Sequence, residues 1–173
     1  MKKSARTILI VFLINLILNS LCNAQTKEIN FSSKGISLNG NLLTLPSTQN
    51  EITEIFGSPT NIGDAPNKDS ATVIEWANLG IYAYKRADSD TIYAIGISIN
   101  PKFPERKFET SFSGNILINQ KNLALTKKTI KSLGFRRTSK YANWRQNLGL
   151  YYLTIITETP DDAREMEFGI SSK

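Results

Sequence analysis

Residues 91–99, T-I-Y-A-I-G-I-S-I, and residues 163–171, A-R-E-M-E-F-G-I-S, decide how this chain is read, because the two faces of each stretch can be assigned independently. In the first, Tyr93, Ile95, Ile97 and Ile99 fall on one face, with Ile92, Ala94, Gly96 and Ser98 on the other. In the second, Met166, Phe168 and Ile170 oppose Glu165, Glu167 and Gly169. The bulky face agrees at one common offset, and a slip of a single residue would destroy that agreement. Two strands built alike suggest that what precedes them is also built alike.

Working backwards from each, the same order of signals appears. In the first half, two alternating runs between Gly35 and Leu45 flank Asn39-Gly40, a dipeptide suited to the positive φ angles of a tight hairpin. Thr48 and Glu51 fit a capping box for a short helix with Ile52, Ile55 and Phe56 on one face and Gly57 at its end. Residues 58–71 hold two prolines and several turn formers and are expected to be a loop, and strands follow at Thr72 to Ala77, Ile81 to Arg86 and Thr91 to Ile99. In the second half, Phe108 to Phe112 and Ile116 to Asn119 flank Ser113-Gly114, Thr126 to Leu133 reads as a helix ended by Gly134, and strands are expected at Tyr141 to Gln146, Leu150 to Thr157 and Ala163 to Ser171. W-A-N-L-G (76–80) and W-R-Q-N-L-G (144–149) add a shared feature, in which a Trp ends a strand and Asn-Leu-Gly reverses the chain. The expectation is an α+β fold of two tandem ββαβββ units, an antiparallel sheet with one short helix per unit. Unit 1 spans residues 35–100, a connector residues 101–107, and unit 2 residues 108–173.

The N-terminus has a different character. M-K-K-S-A-R leads into an apolar run from Ile8 to Leu21 and then C-N-A-Q, the order of an export signal with cleavage between Ala24 and Gln25. Residues 1–24 are therefore expected to leave as a signal peptide, with residues 25–34 as an N-terminal extension and a periplasmic or secreted bacterial product. Acylation at Cys22, as in a lipoprotein, and a retained anchor are the alternatives. Asn15, Asn19 and Ser20 interrupt the run, which falls short of the ~20 residues a spanning helix needs. After cleavage the chain contains neither Cys nor His, so it would fold by burial alone and would lack thiolate and imidazole chemistry.

Charge is unevenly distributed. Residues 25–100 carry 5 Lys/Arg against 8 Asp/Glu, whereas residues 101–173 carry 13 against 7. Lys121, Lys127, Lys128, Lys131, Arg136, Arg137, Lys140 and Arg145 form a run uninterrupted by any acid. Such a run can engage phosphates, anionic lipid headgroups, acidic glycans or an acidic protein patch, or serve only as a solvated face. The aromatic residues Trp76, Tyr82, Tyr84, Trp144, Tyr151 and Tyr152 divide between core packing and display. Tyr151 and Tyr152 must face opposite sides of their strand.

Nothing in the sequence assembles a catalytic site. A Ser or Cys nucleophile lacks a His base, Asp88/Asp90 and Asp161/Asp162 are turn residues, and there is no phosphate-binding glycine loop. No catalytic, cofactor-binding or metal-ligating residue is assigned, and an enzyme is not expected. Nucleic acid is not an expected partner for an exported chain.

I-T-E-I-F-G-S-P (52–59) and W-A-N-L-G-I-Y-A-Y (76–84) resemble a bacterial exported domain family of unknown function. The tandem arrangement of a helix and a meander is distantly similar to the beta-lactamase inhibitory protein fold and its outer-membrane-assembly lipoprotein relatives. That resemblance implies a sheet face that grips another protein. The expected function is thus a non-catalytic exported protein-binding module of inhibitor, immunity or envelope-assembly type. Its partner surface would comprise Arg136, Arg137, Lys140, Tyr141, Trp144, Arg145 and Tyr152. The alternative is an envelope module that binds an anionic polymer or membrane surface through the basic second unit.

Overall fold

The computed structural model describes residues 27–65, 70–99, 111–138, 143–157 and 163–171. The predicted signal segment, Lys140, Tyr141, Asp161, Asp162 and residues 101–107 lie outside them.

The chain is α+β; among the described residues it has two sheets and two short helices. A five-stranded sheet has the order β10-β9-β1-β2-β3, formed by β1 (Glu28–Ser32), β2 (Gly35–Leu38), β3 (Asn41–Leu43), β9 (Asn115–Ile118) and β10 (Lys121–Asn122). The larger sheet runs β11-β12-β13-β14-β8-β7-β6-β5, with β4 (Ser47–Thr48) pairing beside β8. Its first-half strands are β5 (Asn61–Asp64), β6 (Ala71–Trp76), β7 (Ile81–Arg86) and β8 (Thr91–Ser98). Its second-half strands are β11 (Arg136–Arg137), β12 (Trp144–Leu148), β13 (Tyr151–Thr157) and β14 (Ala163–Ile170). Residues 91–99 and 163–171 are neighbours: β8 and β14 pair antiparallel, with Ile95 opposite Phe168 and Ile97 opposite Met166.

One core fills the space between the sheets. Ile29, Phe31 and Ile36 from the small sheet meet Ile81, Ile95, Leu153, Met166 and Phe168 from the large one. The rings of Phe31 and Phe168 lie 5.6 Å apart, and Tyr151 closes on Phe168 at 4.8 Å. Helix α1 (Gln49–Phe56) is fixed at its start by the capping box, in which the Thr48 hydroxyl accepts from the Glu51 amide while Glu51 accepts from the Thr48 amide at 2.7 Å. It buries Ile52 and Phe56, and the Phe56 ring meets Trp76 edge-on at 5.3 Å. Helix α2 (Lys127–Ser132), capped by Thr126, is shorter and buries Ile130.

Several expectations are corrected. The loop assigned to residues 58–71 contains β5, so among the described residues each half has four strands after its helix, and the expected ββαβββ order is not reproduced. Among the described residues the fold has two sheets, and one pairing is parallel: β1 lies between the two hairpins, parallel to β9 and antiparallel to β2. Residues 28–32 are therefore a central strand within the segment read as an extension. The hairpin of β9 and β10 turns at Asn119-Gln120, with φ of 48° and 66°, and matches Asn39-Gly40 in backbone; residues 108–110 of the strand expected before Ser113-Gly114 lie outside the described residues. Strand β1 anchors both turns, because the Glu28 N–H donates to Asn39 Oδ1 at 2.8 Å and Asn30 Oδ1 accepts from the Gln120 N–H at 3.0 Å.

The two Trp-Asn-Leu-Gly stretches also differ. Trp76 ends β6 and Ala77–Leu79 form a 3-10 turn, whereas Trp144 begins β12 and Asn147 and Leu148 are still in the strand when Gly149 turns the chain. Finally, the expected faces of Ile92 and Tyr93 are exchanged. A bulge in β8 places Lys85 opposite Ile92 and leaves Tyr93 as the extra residue. Ile92 joins the main core, while Tyr93 stacks on Tyr84 across the sheet's other face. β14 carries a bulge of the same kind at Arg164, between the partners of Ile156 and Thr157.

Candidate functional site

The outer face of the large sheet, opposite the main core, is built around two tyrosines lying over glycines. Tyr82 on β7 pairs with Gly96 on β8, and Tyr152 on β13 pairs with Gly169 on β14. A side chain at either glycine would collide with the tyrosine ring, which explains an interior strand glycine in each place. Both hydroxyls donate to carboxylates of β14: Tyr82 to Glu165 at 2.8 Å and Tyr152 to Glu167 at 2.6 Å. Burial, followed by the charge of Glu167 and the hydrogen bond to it, pushes the Tyr152 phenol well above its usual range, and the Arg145 charge only partly opposes this. The Arg145 guanidinium lies 4.3 Å from the centroid of the Tyr152 ring. Glu165 and Glu167 were not singled out in the sequence, although a Gly opposite a Tyr in paired strands is a readable sign of close approach.

The expected partner-binding residues separate into groups. Trp144 is only 4% exposed and belongs to the core. Trp76, Tyr82, Tyr84 and Tyr151 are also buried, so Tyr152 is the member of the aromatic set that reaches the surface. Arg136 and Arg137 form the exposed edge strand β11, while Arg145 is half-buried on β12. Lys140 and Tyr141 lie outside the described residues.

What the fold brings together is a pair of clefts on either side of β11. One, of about 580 Å³, is lined by Lys127, Lys131, Phe135, Arg136, Arg137 and Trp144. Lys127 and Lys131 are one turn apart on α2 and so share a face. The other, of about 610 Å³, is lined by Gly134, Arg136, Thr138, Arg145, Gln146, Asn147 and Ser171. Among the described residues no carboxylate lines either cleft. Arg136 borders both, and its partner directly across the antiparallel pair is Arg145. Like charges placed opposite each other in this way are destabilising in the absence of a counter-charge.

Among the described residues no group of three His, Cys, Asp or Glu side chains is placed to hold a metal, and no helix is long and apolar enough to cross a membrane. Fold and site together define an α+β protein of two packed sheets with cationic clefts at one sheet edge. The chain belongs to the domain-of-unknown-function family DUF7738, whose model matches residues 28–133, from β1 through α2. Lys127 and Lys131 fall inside the match, and Arg136, Arg137, Trp144 and Arg145 lie beyond it. No curated protein matches the chain. Among solved structures, a DUF4309 family protein (YjgB) from Bacillus subtilis is similar at 13% identity, over 78% of this chain and 84% of that one, with a TM-score of 0.42.

Proposed function

We propose that this protein is an exported, non-catalytic binding module that takes an anionic ligand, on a polymer or a membrane surface, at the edge formed by α2, β11 and β12. The observation that carries the reading is the convergence of Lys127, Lys131, Arg136, Arg137 and Arg145 on two adjoining clefts whose described linings contain no acid. Charged residues on an edge strand also deter unwanted strand pairing, which accounts for Arg136 and Arg137. It does not account for two lysines on the neighbouring helix facing the same cleft, nor for the Arg136–Arg145 opposition. Cleavage at Ala24/Gln25 and export belong to the same proposal and rest on the sequence of residues 1–24.

The test is binding to a soluble polyphosphate as salt is raised from about 0.1 M to about 1 M, which shortens the screening length from about 10 Å to about 3 Å. Affinity is expected to fall steeply, and the Arg136→Glu/Arg137→Glu variant to bind at least tenfold more weakly at the lower salt. A flat salt response, or undiminished binding by the double variant, overturns the reading.

A second reading, a protein interface on the sheet face, is favoured by Arg145 stacked on the half-exposed Tyr152. This arrangement has the composition of an interface anchor and is what the resemblance to the inhibitor fold would imply. The architecture itself is proposed to descend from a duplicated half. Support comes from the strand order, which runs β8-β7-β6-β5 in one direction from the junction and β14-β13-β12-β11 in the other. Matching positive-φ hairpin turns, a Tyr over a Gly, and a bulge in the last strand of each half add to it.

A further inference from the structure

The two tryptophans meet different fates. The Trp76 indole N–H donates to the Gly57 carbonyl at 2.7 Å, at the end of α1. The Trp144 indole N–H is buried and meets no acceptor among the described residues. An indole N–H is a donor only, and burying it unpaired is unfavourable, so an orphan donor calls for an explanation. Trp144 is more than nine-tenths buried, and it lines the cleft that also holds Lys127, Lys131, Arg136 and Arg137. The surroundings are thus the cations Lys127, Lys131 and Arg136, one neutral donor, and Arg137, which already has an interaction of its own; all are groups that hydrogen-bond only to acceptors. A phosphate group matches this set: it carries the compensating charge, offers several acceptor oxygens to donors from different directions, and suits the planar fork of arginine.

Resting on the reading above, we infer that this cleft is a phosphate subsite in which Trp144 Nε1–H, covered in the unliganded protein, becomes a donor to a phosphate oxygen once the side chains lining the cleft part, while the lysines of α2 and the arginines of β11 neutralise the charge. The phosphate is a phosphodiester or phosphomonoester carried by either a lipid headgroup or a soluble polymer. Lys127 and Lys131 approach from the helix and Arg136 and Arg137 from the edge strand, so the group is held between two elements. The apolar contribution of the cleft comes from Phe135 and the indole ring itself.

The experiment follows the two indole N–H resonances of the ¹⁵N-labelled protein during titration with pyrophosphate, with Trp144→Phe used for assignment. The Trp144 signal is expected to move saturably while the Trp76 signal, already bonded, stays in place. Trp144→Phe is expected to weaken pyrophosphate binding about tenfold, the scale of a hydrogen bond to a charged group. Should this core substitution unfold the protein, titration of the wild type still decides the matter, with the exposed Lys131→Gln expected to weaken binding as well. Parallel arms with soluble polyphosphate and with vesicles of phosphatidylglycerol identify the source, and a Trp144 response in either supports the inference. If Arg136→Glu/Arg137→Glu abolishes binding but the Trp144 signal never moves, the phosphate subsite is refuted and the cationic clefts stand. If wild-type protein binds none of the three probes, both ideas fall.

Discussion

Gly96→Ala tests the outer face of the large sheet most sharply. Gly96 is not among the residues with positive φ, so its backbone accepts alanine without strain and the effect is purely one of space. A Cβ there would sit inside the van der Waals envelope of the Tyr82 ring and hydroxyl, and Tyr82 is fully buried, so the ring has nowhere to go. Inserting a methyl group into a filled core costs about 1–3 kcal/mol. Displacing the ring also endangers the hydrogen bond from Tyr82 to Glu165, worth about 1.5–3 kcal/mol for a charged acceptor. Together these give a loss of about 2.5–6 kcal/mol, a large share of the ~5–15 kcal/mol that holds a domain folded. Gly169→Ala is the internal control. Its added Cβ would meet Tyr152 at 2.6–2.9 Å, but Tyr152 is only partly buried, so its ring and the Arg145 side chain over it have room to shift towards solvent, and the expected loss is smaller, about 1–2 kcal/mol. Urea unfolding of both variants at neutral pH measures the difference, and the thermal midpoint of Gly96→Ala should fall by roughly 10 °C. A Gly96→Ala protein within about 0.5 kcal/mol of wild type, or a larger loss at Gly169 than at Gly96, would refute the packing argument.

Other outcomes follow from the same geometry. Thr48→Ala removes the cap of α1 and is expected to cost about 1 kcal/mol in denaturant unfolding. The Glu51 carboxyl is held below its usual range by the Thr48 amide and then by the Ser47 and Thr48 hydroxyls. Its contribution is therefore present above the ordinary carboxylate value and lost as pH falls through the lowered one, so Glu51→Gln should flatten the acid limb of a stability–pH curve. Tyr152 is raised, so its contribution holds below the ordinary tyrosine value of 10 and is lost as pH climbs past it. Ultraviolet titration of the folded protein near that pH should show the same tyrosinate signal in Tyr152→Phe as in wild type. Arg136→Thr relieves a like-charge opposition across β11 and β12 and is expected to raise unliganded stability by about 0.5 kcal/mol while weakening polyphosphate binding, a pair of opposite signs that calorimetry and titration can read together.

The parts of this fold that were legible in the sequence are those set by local rules. Thr48 and Glu51 announce α1 because a capping box needs only three residues of spacing, and Asn39-Gly40 announces a hairpin because few dipeptides accept its angles. The alternation at Ile95, Ile97, Met166 and Phe168 gave the inward face correctly. It failed at Ile92 and Tyr93, since a bulge inserts a residue without altering composition. Gln120 at φ 66° concealed the second turn, because glutamine is an unusual left-handed residue and is held there by Asn30 from a distant strand. The alternation of Ile29 and Phe31 was available, but nothing local signals that they enter the middle of a sheet beside residues 115–118. The shared Trp-Asn-Leu-Gly misled for the opposite reason: the same letters can end one strand and run through another. For the site, the sequence presents Trp144 as an aromatic ring, and only packing shows that the ring is interior and its N–H is the part that lacks a partner. Lys127 and Lys131 were visible as charge, but their approach to Arg136 and Arg137 depends on how α2 is laid against β11.

The antiparallel seam between β8 and β14 leaves neither half self-sufficient. A polypeptide ending after residue 98 would present Ile95 and Ile97 on a naked strand border whose natural cover is missing. The same strand running the opposite way, supplied by a second molecule, has the right chemistry to fill that gap. Truncated or split versions of this protein should therefore be recovered as strand-exchanged pairs or as aggregates, and co-expression of the two pieces should restore solubility.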